Sequence, residues 1–298
     1  MDYFLSLLIT GLVMGIIYAL MALGLTLIFS ILNVINFAHG EFYMLGGYAS
    51  YLLLEIFTGI HPLLIVPIAA LLVAFLGIVF EVGFLRPMHD ERIDRPAEYA
   101  VLITFGFSFF LQNLALALFG PFPHSPRSFF EGSISLGFVN VSADRLTASI
   151  LSLILLGLLL LIINKTWLGK ALRAVSQDKQ AAAVVGINPG VMNSVAFAMG
   201  VGLAAVAGAL LAPVFSITPD VGAVPAIRSY IIIVLGGMGS IPGSILGGLL
   251  IGLVESFGAG YFPDPSRALN YKTVFGLIIF ALVLLLRPRG FFGRKETA

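Results

Sequence analysis

Residues 4–31 read FLSLLITGLVMGIIYALMALGLTLIFSI, a run without a single charged side chain. About 20 helical residues cross a hydrocarbon core of roughly 30 Å, so this run is long enough to span a bilayer. In that core every backbone N–H and C=O must pair inside the protein, which leaves only helices or a closed barrel. Barrel strands alternate apolar and polar residues in short segments, whereas this run is continuous. It reads as a helix. Further apolar blocks lie at 33–57, 62–85, 99–119, 146–164, 191–217, 227–258 and 273–287. The expected fold is an all-α membrane protein, a polytopic bundle of about eight or nine membrane helices in one domain, 1–298. Hydrophobic residues make up 59% of the chain and charged ones 10%, against roughly 25% charged in soluble domains. That balance cannot coat a soluble enzyme of this size. The start, Met1-Asp2-Tyr3-Phe4, lacks a basic region, and the apolar stretch runs on to about Leu32, so no cleaved leader is expected. The net charge of +1 and the lack of a long basic run give no reason to expect nucleic acid. There is no cysteine, hence no disulfide or thiolate metal site.

Basic residues sort the connections. Segment 86–98 holds Arg86, Arg92 and Arg95; segment 164–190 holds Lys165, Lys170, Arg173 and Lys179; the tail holds Arg287, Arg289, Arg294 and Lys295. These are 11 of the 16 lysines and arginines, and the positive-inside bias places all three segments in the cytoplasm. The N-terminus then falls outside, as does the connection 120–145. Three single crossings after 190 would leave the basic tail outside, so 227–258 should cross an even number of times. Gly-Gly-Met-Gly-Ser-Ile-Pro-Gly at 236–243 supplies the break, with Pro242 suited to a first helical turn and the cap near Ser240. Beyond it, Gly239, Gly243 and Gly247, then Gly248 and Gly252, recur at the spacing that lets helix backbones approach closely in lipid.

A second polar interruption runs from Asn33 to Glu41. At about 100° per residue, Asn33, Asn36, Gly40, Met44 and Gly47 form one stripe, which should face protein or a water-filled path. His39 and Glu41 flank it on opposite sides and should find partners on other helices. The alternative is a helix start near the interface, with asparagine caps and a first-turn glutamate. Glu55, Glu81 and Glu255 sit near block ends, where interfacial snorkelling explains them without a role.

In the longest cytoplasmic segment, Gln180 to Val185 is uncharged and apolar, unusual for a loop meant to meet only water. Its alanines favour a helix whose small side chains would fit a cleft on another protein. Gly186 and Asn188-Pro189 end it. No G-x-x-x-x-G-K-[ST], H-E-x-x-H or nucleophile elbow occurs, so neither ATP binding through a P-loop nor intramembrane hydrolysis is expected, and no cofactor.

Residues 33–48, NVINFAHGEFYMLGGY, closely resemble the N-terminal signature of the branched-chain amino acid ABC importer permeases, and within them the H-type Liv subunits. Residues 169–174 (GKALRA) through 186–188 (GIN), and 235–243 (LGGMGSIPG), agree with the same family in register, so the likeness spans essentially the whole chain. The resemblance implies a subunit of the bacterial inner membrane working by alternating access. Its implied partners are ABC ATPase subunits, a second permease (a paralogue), and a soluble external substrate-binding protein. It also implies a coupling helix on the ATPase, formed around Gly169, Arg173, Asp178, Gln180, Ala181, Ala182, Gly186, Ile187 and Asn188. Gln180, Ala181, Ala182 and Gly186 fit the general importer spacing of Glu-Ala-Ala and a later glycine, with Gln180 replacing the acid; the downstream Leu-Pro is missing. The expected substrate path takes Asn33, Asn36, His39, Gly40, Glu41, Met44 and Gly47 together with Gly236, Gly237, Gly239, Ser240 and Gly243. A helix N-terminus near Ser240 could favour a substrate carboxylate. Importers of urea or short amides share these signatures, and a stand-alone secondary transporter is the reading from a different class.

Overall fold

Eleven α-helices and one short hairpin form the computed structural model, which describes residues 1–89, 93–135 and 140–293. Arg92, Arg294 and Lys295, counted above among the basic residues, lie outside the described residues. The helices are α1 (Asp2–Leu32), α2 (His39–Ile56), α3 (Pro62–Phe80), α4 (Pro96–Phe119), α5 (Ala143–Lys165), α6 (Trp167–Gln177), α7 (Lys179–Val184), α8 (Pro189–Leu211), α9 (Ala223–Gly236), α10 (Ile241–Gly260) and α11 (Pro265–Leu286). Six are long and apolar enough to cross a membrane: α1, α3 with its extension to Met88, α4, α5, α8 and α10. With the shorter apolar helices α9 and α11 among the described residues, they make an all-α polytopic bundle, the fold class that the sequence leads one to expect. Strands β1 (Ser133–Ser135) and β2 (Asn140–Ser142) pair antiparallel, Ile134 opposite Val141, in the connection before α5.

Small residues place the two central helices. Gly24 of α1 meets Gly200 of α8 so closely that a methyl group on either would strike the other's carbonyl. Gly11 and Gly15 receive α10 in the same way, at Gly252, Leu253, Gly248 and Leu249. Without a water-driven hydrophobic effect between helices in lipid, such close approach is the chief source of packing energy. Consequently α1 and α8 are buried on nearly every side, while α3, α4 and α5 turn Leu71, Phe75, Leu102, Phe110, Leu153 and Leu158 outward. A helix apolar all round is either core or membrane span; here the two kinds separate by position.

α1 and α8 run antiparallel, since Met14 and Ile17 share a cavity with Ala207 and Leu211 while Gly24 and Ile28 reach Gly200. The C-terminal end of α1 therefore lies with α6, α7 and the start of α8. Ser30 approaches Gly239, and Phe291 and Phe292 donate to the carbonyls of Leu235 and Gly236. The described parts of all three basic segments thus share one end of the bundle. The N-terminus lies at the other, where the Tyr3 hydroxyl donates to the Gly260 carbonyl.

Three expectations need correction. Asn33 does not continue a helix: it caps α1 in the left-handed conformation (φ 58°), and 33–38 are non-helical. Asparagine tolerates that conformation, so Asn33 and Asn36 do not share a helix face with Gly40, Met44 and Gly47. Second, the block 191–217 stops at Leu211; Pro213 and Pro219 lie in the turn that carries the chain back to α9. At 14 residues α9 is about 21 Å long, short of a full crossing. Third, Glu81 and Glu255 do not snorkel. Both are buried, because neighbouring helices cover the ends of their own.

Candidate transport path and coupling surface

Segment 33–41 folds back into the bundle. Oδ1 of Asn36 accepts from the Ala38 N–H at 3.1 Å, a local turn that launches α2 at His39. His39 Nε2 lies 3.0 Å from the Met21 carbonyl on α1, while Glu41 accepts from the Ser108 hydroxyl of α4 at 2.9 Å. The two side chains face different helices and do not pair. Asn36 Nδ2, His39 Nδ1 and Glu41 Oε2 are buried with no hydrogen-bond partner. Unpaired buried polar atoms cost roughly 1–3 kcal/mol each, and three of them fall on six consecutive residues here. Asn33 is exposed. Gly40 lies against the Gly222 carbonyl, Gly47 against Ile217, and Met44 is fully buried.

The glycine-rich break falls where the sequence puts it. Gly237 (φ 97°) and Gly239 (φ 80°) turn the chain in a region that favours glycine. Ser240 then caps α10, its Oγ accepting from the Gly243 N–H at 3.2 Å, with Pro242 in the first turn. Gly243 rests on the Gly236 backbone.

The two segments meet at a cavity of about 330 Å³, whose walls include Ile35, Phe37 and Met238 with Leu25, Phe29 and Tyr230. The Tyr230 hydroxyl donates to the Asn36 carbonyl at 2.7 Å and pins the loop against α9. About one turn farther along α1, a second cavity of about 280 Å³ opens among Met14, Ile17, Tyr18, Met21, Tyr43 and the 215–228 segment. The two follow one another along the groove between α1 and α9. None of the path residues expected from sequence lines either cavity; in the first, their neighbours Ile35, Phe37 and Met238 do.

Beside it sits a charge cluster that sequence reading missed. Arg228 Nε donates to Glu255 Oε1 at 2.7 Å. Glu255 also pairs with Lys272 at 3.7 Å and accepts from the Tyr18 hydroxyl at 3.0 Å. The Arg228 guanidinium lies 4.8 Å over the Tyr18 ring. Lone charges inside apolar blocks were the available signal, because charge at membrane depth is costly and seldom idle. A smaller cluster holds Glu81 on a π-helical turn (Glu81–Leu85), where Ser194 donates to it and Arg86 lies 3.7 Å away. π-Turns inside helices occur often at functional sites.

At the basic end, α6 and α7 form a two-helix projection. Gly169 is buried against the carbonyls of Ile162 and Ile163, and Arg173 donates to the Ile163 carbonyl. Asp178 caps α7 by accepting from the Gln180 and Ala181 N–H groups at 2.8 and 2.9 Å. Half-burial of Lys179 lowers its ammonium pKa. Gly186 (φ 86°) closes the helix: its N–H donates to Ala183 and that of Ile187 to Ala182, the paired bonds of a Schellman end. Asn188 caps α8 through the Val191 N–H. Ala182 faces inward, whereas Gln180, Ala181, Val184 and Val185 are exposed. Of the alanines singled out in sequence, Ala182 is buried against its own chain, while Ala181 is exposed. The outward apolar surface is instead Val184, 88% exposed, and Val185.

Residues 7–285 match the family described as branched-chain amino acid transport system, permease component. The high-affinity branched-chain amino acid transport system permease protein BraD of Pseudomonas aeruginosa is 35% identical, the alignment covering 99% of this chain and 97% of BraD. LivH of Escherichia coli K12 is 33% identical with the same coverage. LivM of that organism, also named a permease protein of a high-affinity branched-chain amino acid transport system, is 27% identical over 92% of this chain and 67% of LivM. No solved structure matches. A multi-pass helical bundle aligned end to end with the H-type proteins and only distantly with LivM belongs to the branched-chain amino acid transport permease family, on its H-type branch.

Proposed function

We propose that the chain is a membrane-spanning subunit of an ATP-driven importer for branched-chain amino acids in the bacterial inner membrane. The groove between α1 and α9 is its contribution to the path, and α6–α7 is the handle through which ATPase subunits move it. The observation that carries this reading is the projection itself. Two short capped helices stand at the basic end of the bundle and present Val184 and Val185 to the surroundings. We read this exposed apolar pair, at the end of the bundle that meets water, as the docking feature. The positive-inside bias makes that end cytoplasmic and the end carrying Met1 and Gly260 external. The likeness to LivM supports a paralogous second permease alongside this one, and a binding protein would deliver substrate at the external end. ATP binding and hydrolysis in the partner subunits would bias two packings of the bundle unequally, which is what alternating access requires.

Co-purification tests the reading. Tagged wild-type chain should bring down a P-loop ATPase, and vesicles holding the complex should import leucine only with ATP. The double variant Val184→Asp/Val185→Asp should insert normally yet retain roughly one-tenth of the ATPase or less, since charging a desolvated apolar anchor costs about 2 kcal/mol or more. Import by this chain alone on an ion gradient would overturn the proposal.

A further inference from the structure

The second cavity differs from its neighbour in carrying charged side chains on its walls. Its walls are largely apolar: Met14, Ile17 and Met21 from α1, and Leu211, Val221 and Val224 opposite. It also holds one guanidinium and one carboxylate, Arg228 and Asp220. At about 280 Å³ it stands at the small end of pockets for organic ligands, roughly 300–1,000 Å³.

The charges are not balanced by the protein. Arg228 spends its Nε on Glu255, and its terminal nitrogens make no hydrogen bond among the described residues. Glu255 is shared with Lys272, so one carboxylate answers two cations, and the second carboxylate at the cavity, Asp220, stands apart from them. The Asp220 side chain makes no hydrogen bond or ion pair among the described residues, and its only bonded group is the backbone carbonyl that caps Ala223. A free fork of donors, a free acceptor and an apolar pouch between them match one chemical class, an α-amino acid zwitterion with an aliphatic side chain. Planar guanidinium suits a carboxylate in particular, because it can offer two parallel N–H bonds.

We infer that this cavity is an α-amino acid site of the permease, with Arg228 receiving the carboxylate, Asp220 the ammonium and the α1 face the side chain. The inference rests on the permease reading and deepens it. The pouch lies toward the bundle end that carries Met1, the external end in that reading. Substrate would thus rest there before passing the constriction formed by Tyr230 and the 33–38 loop. In this reading the carboxylate binds at the cavity rather than at the N-terminus of α10.

Two variants test it in the assembled transporter in proteoliposomes, with labelled leucine, alanine and the keto acid of leucine as probes. Asp220 is exposed and unpaired, so Asp220→Asn should leave folding intact. It should raise the KM for leucine roughly tenfold, the loss expected of one charge-assisted hydrogen bond, and should erase the preference for leucine over its keto acid. Val224→Trp should fill the pouch, abolishing leucine uptake while sparing alanine. Normal ATPase co-purification with these changes supports the site. Normal co-purification with wild-type KM and wild-type size preference in both variants overturns it and leaves the permease reading standing. Failure of the wild-type chain to recruit an ATPase would overturn the permease reading itself.

Discussion

Glu255 shows what a single carboxylate must do inside such a bundle. Its side chain is 1% exposed and touches Arg228, Lys272 and Tyr18. Replacing it with alanine would leave two cations in apolar surroundings, a change that costs roughly 3–5 kcal/mol when a buried pair is broken. Glu255→Ala should therefore lower the unfolding temperature in detergent, and adding Arg228→Met should recover part of the loss. If the single variant melts with the wild type, the cluster does not hold α9, α10 and α11 together. The two charges are plain in the sequence, yet their pairing is not. They stand 27 residues apart on different helices, and only the packing of α9 against α10 joins them. His39 and Glu41 differ: their divergence follows from local spacing, and they do turn to α1 and α4.

Helix ends were the more legible scale, since a cap is decided by a few neighbouring residues. Ser240 and Pro242 start α10, and Gly186 ends α7, where the residue types require. Ser240→Ala should cost about 1 kcal/mol, the usual worth of an N-cap, read as a small downward shift of the same melting curve. Where the rule fails, the reason is also local. The stripe from Asn33 to Gly47 continues at helical spacing only by coincidence, because a left-handed Asn33 and the Asn36 turn interrupt it. In α7 the burial of Ala182 separates two variants that each add one charge. Ala182→Arg should loosen the projection and raise amide exchange across α6 and α7. Val184→Asp should leave exchange unchanged while weakening ATPase recruitment. Equal exchange in both would mean that α7 is not anchored through Ala182.

Over the whole molecule the testable quantity is orientation. The chain has no cysteine, so single cysteines report without background. Val184→Cys should react with a membrane-impermeant maleimide only after cells are opened, and Phe122→Cys, 75% exposed at the far end, in intact cells. The reverse pattern would invert the bundle and take the docking role of α7 with it. The sequence by itself determined that this is a helical membrane protein, about how many helices it has, where the glycine-rich segment breaks and which connections share an end. Those properties depend on hydrophobic length, local caps and charge counts, all additive along the chain. Tertiary structure alone decided which apolar helices are central and which face lipid, that Glu255 meets Arg228, and that an apolar pouch with two unpaired charges opens beside α1. Each is a relation between residues far apart in sequence, set by how closely glycine and alanine let backbones approach, and no local pattern records it.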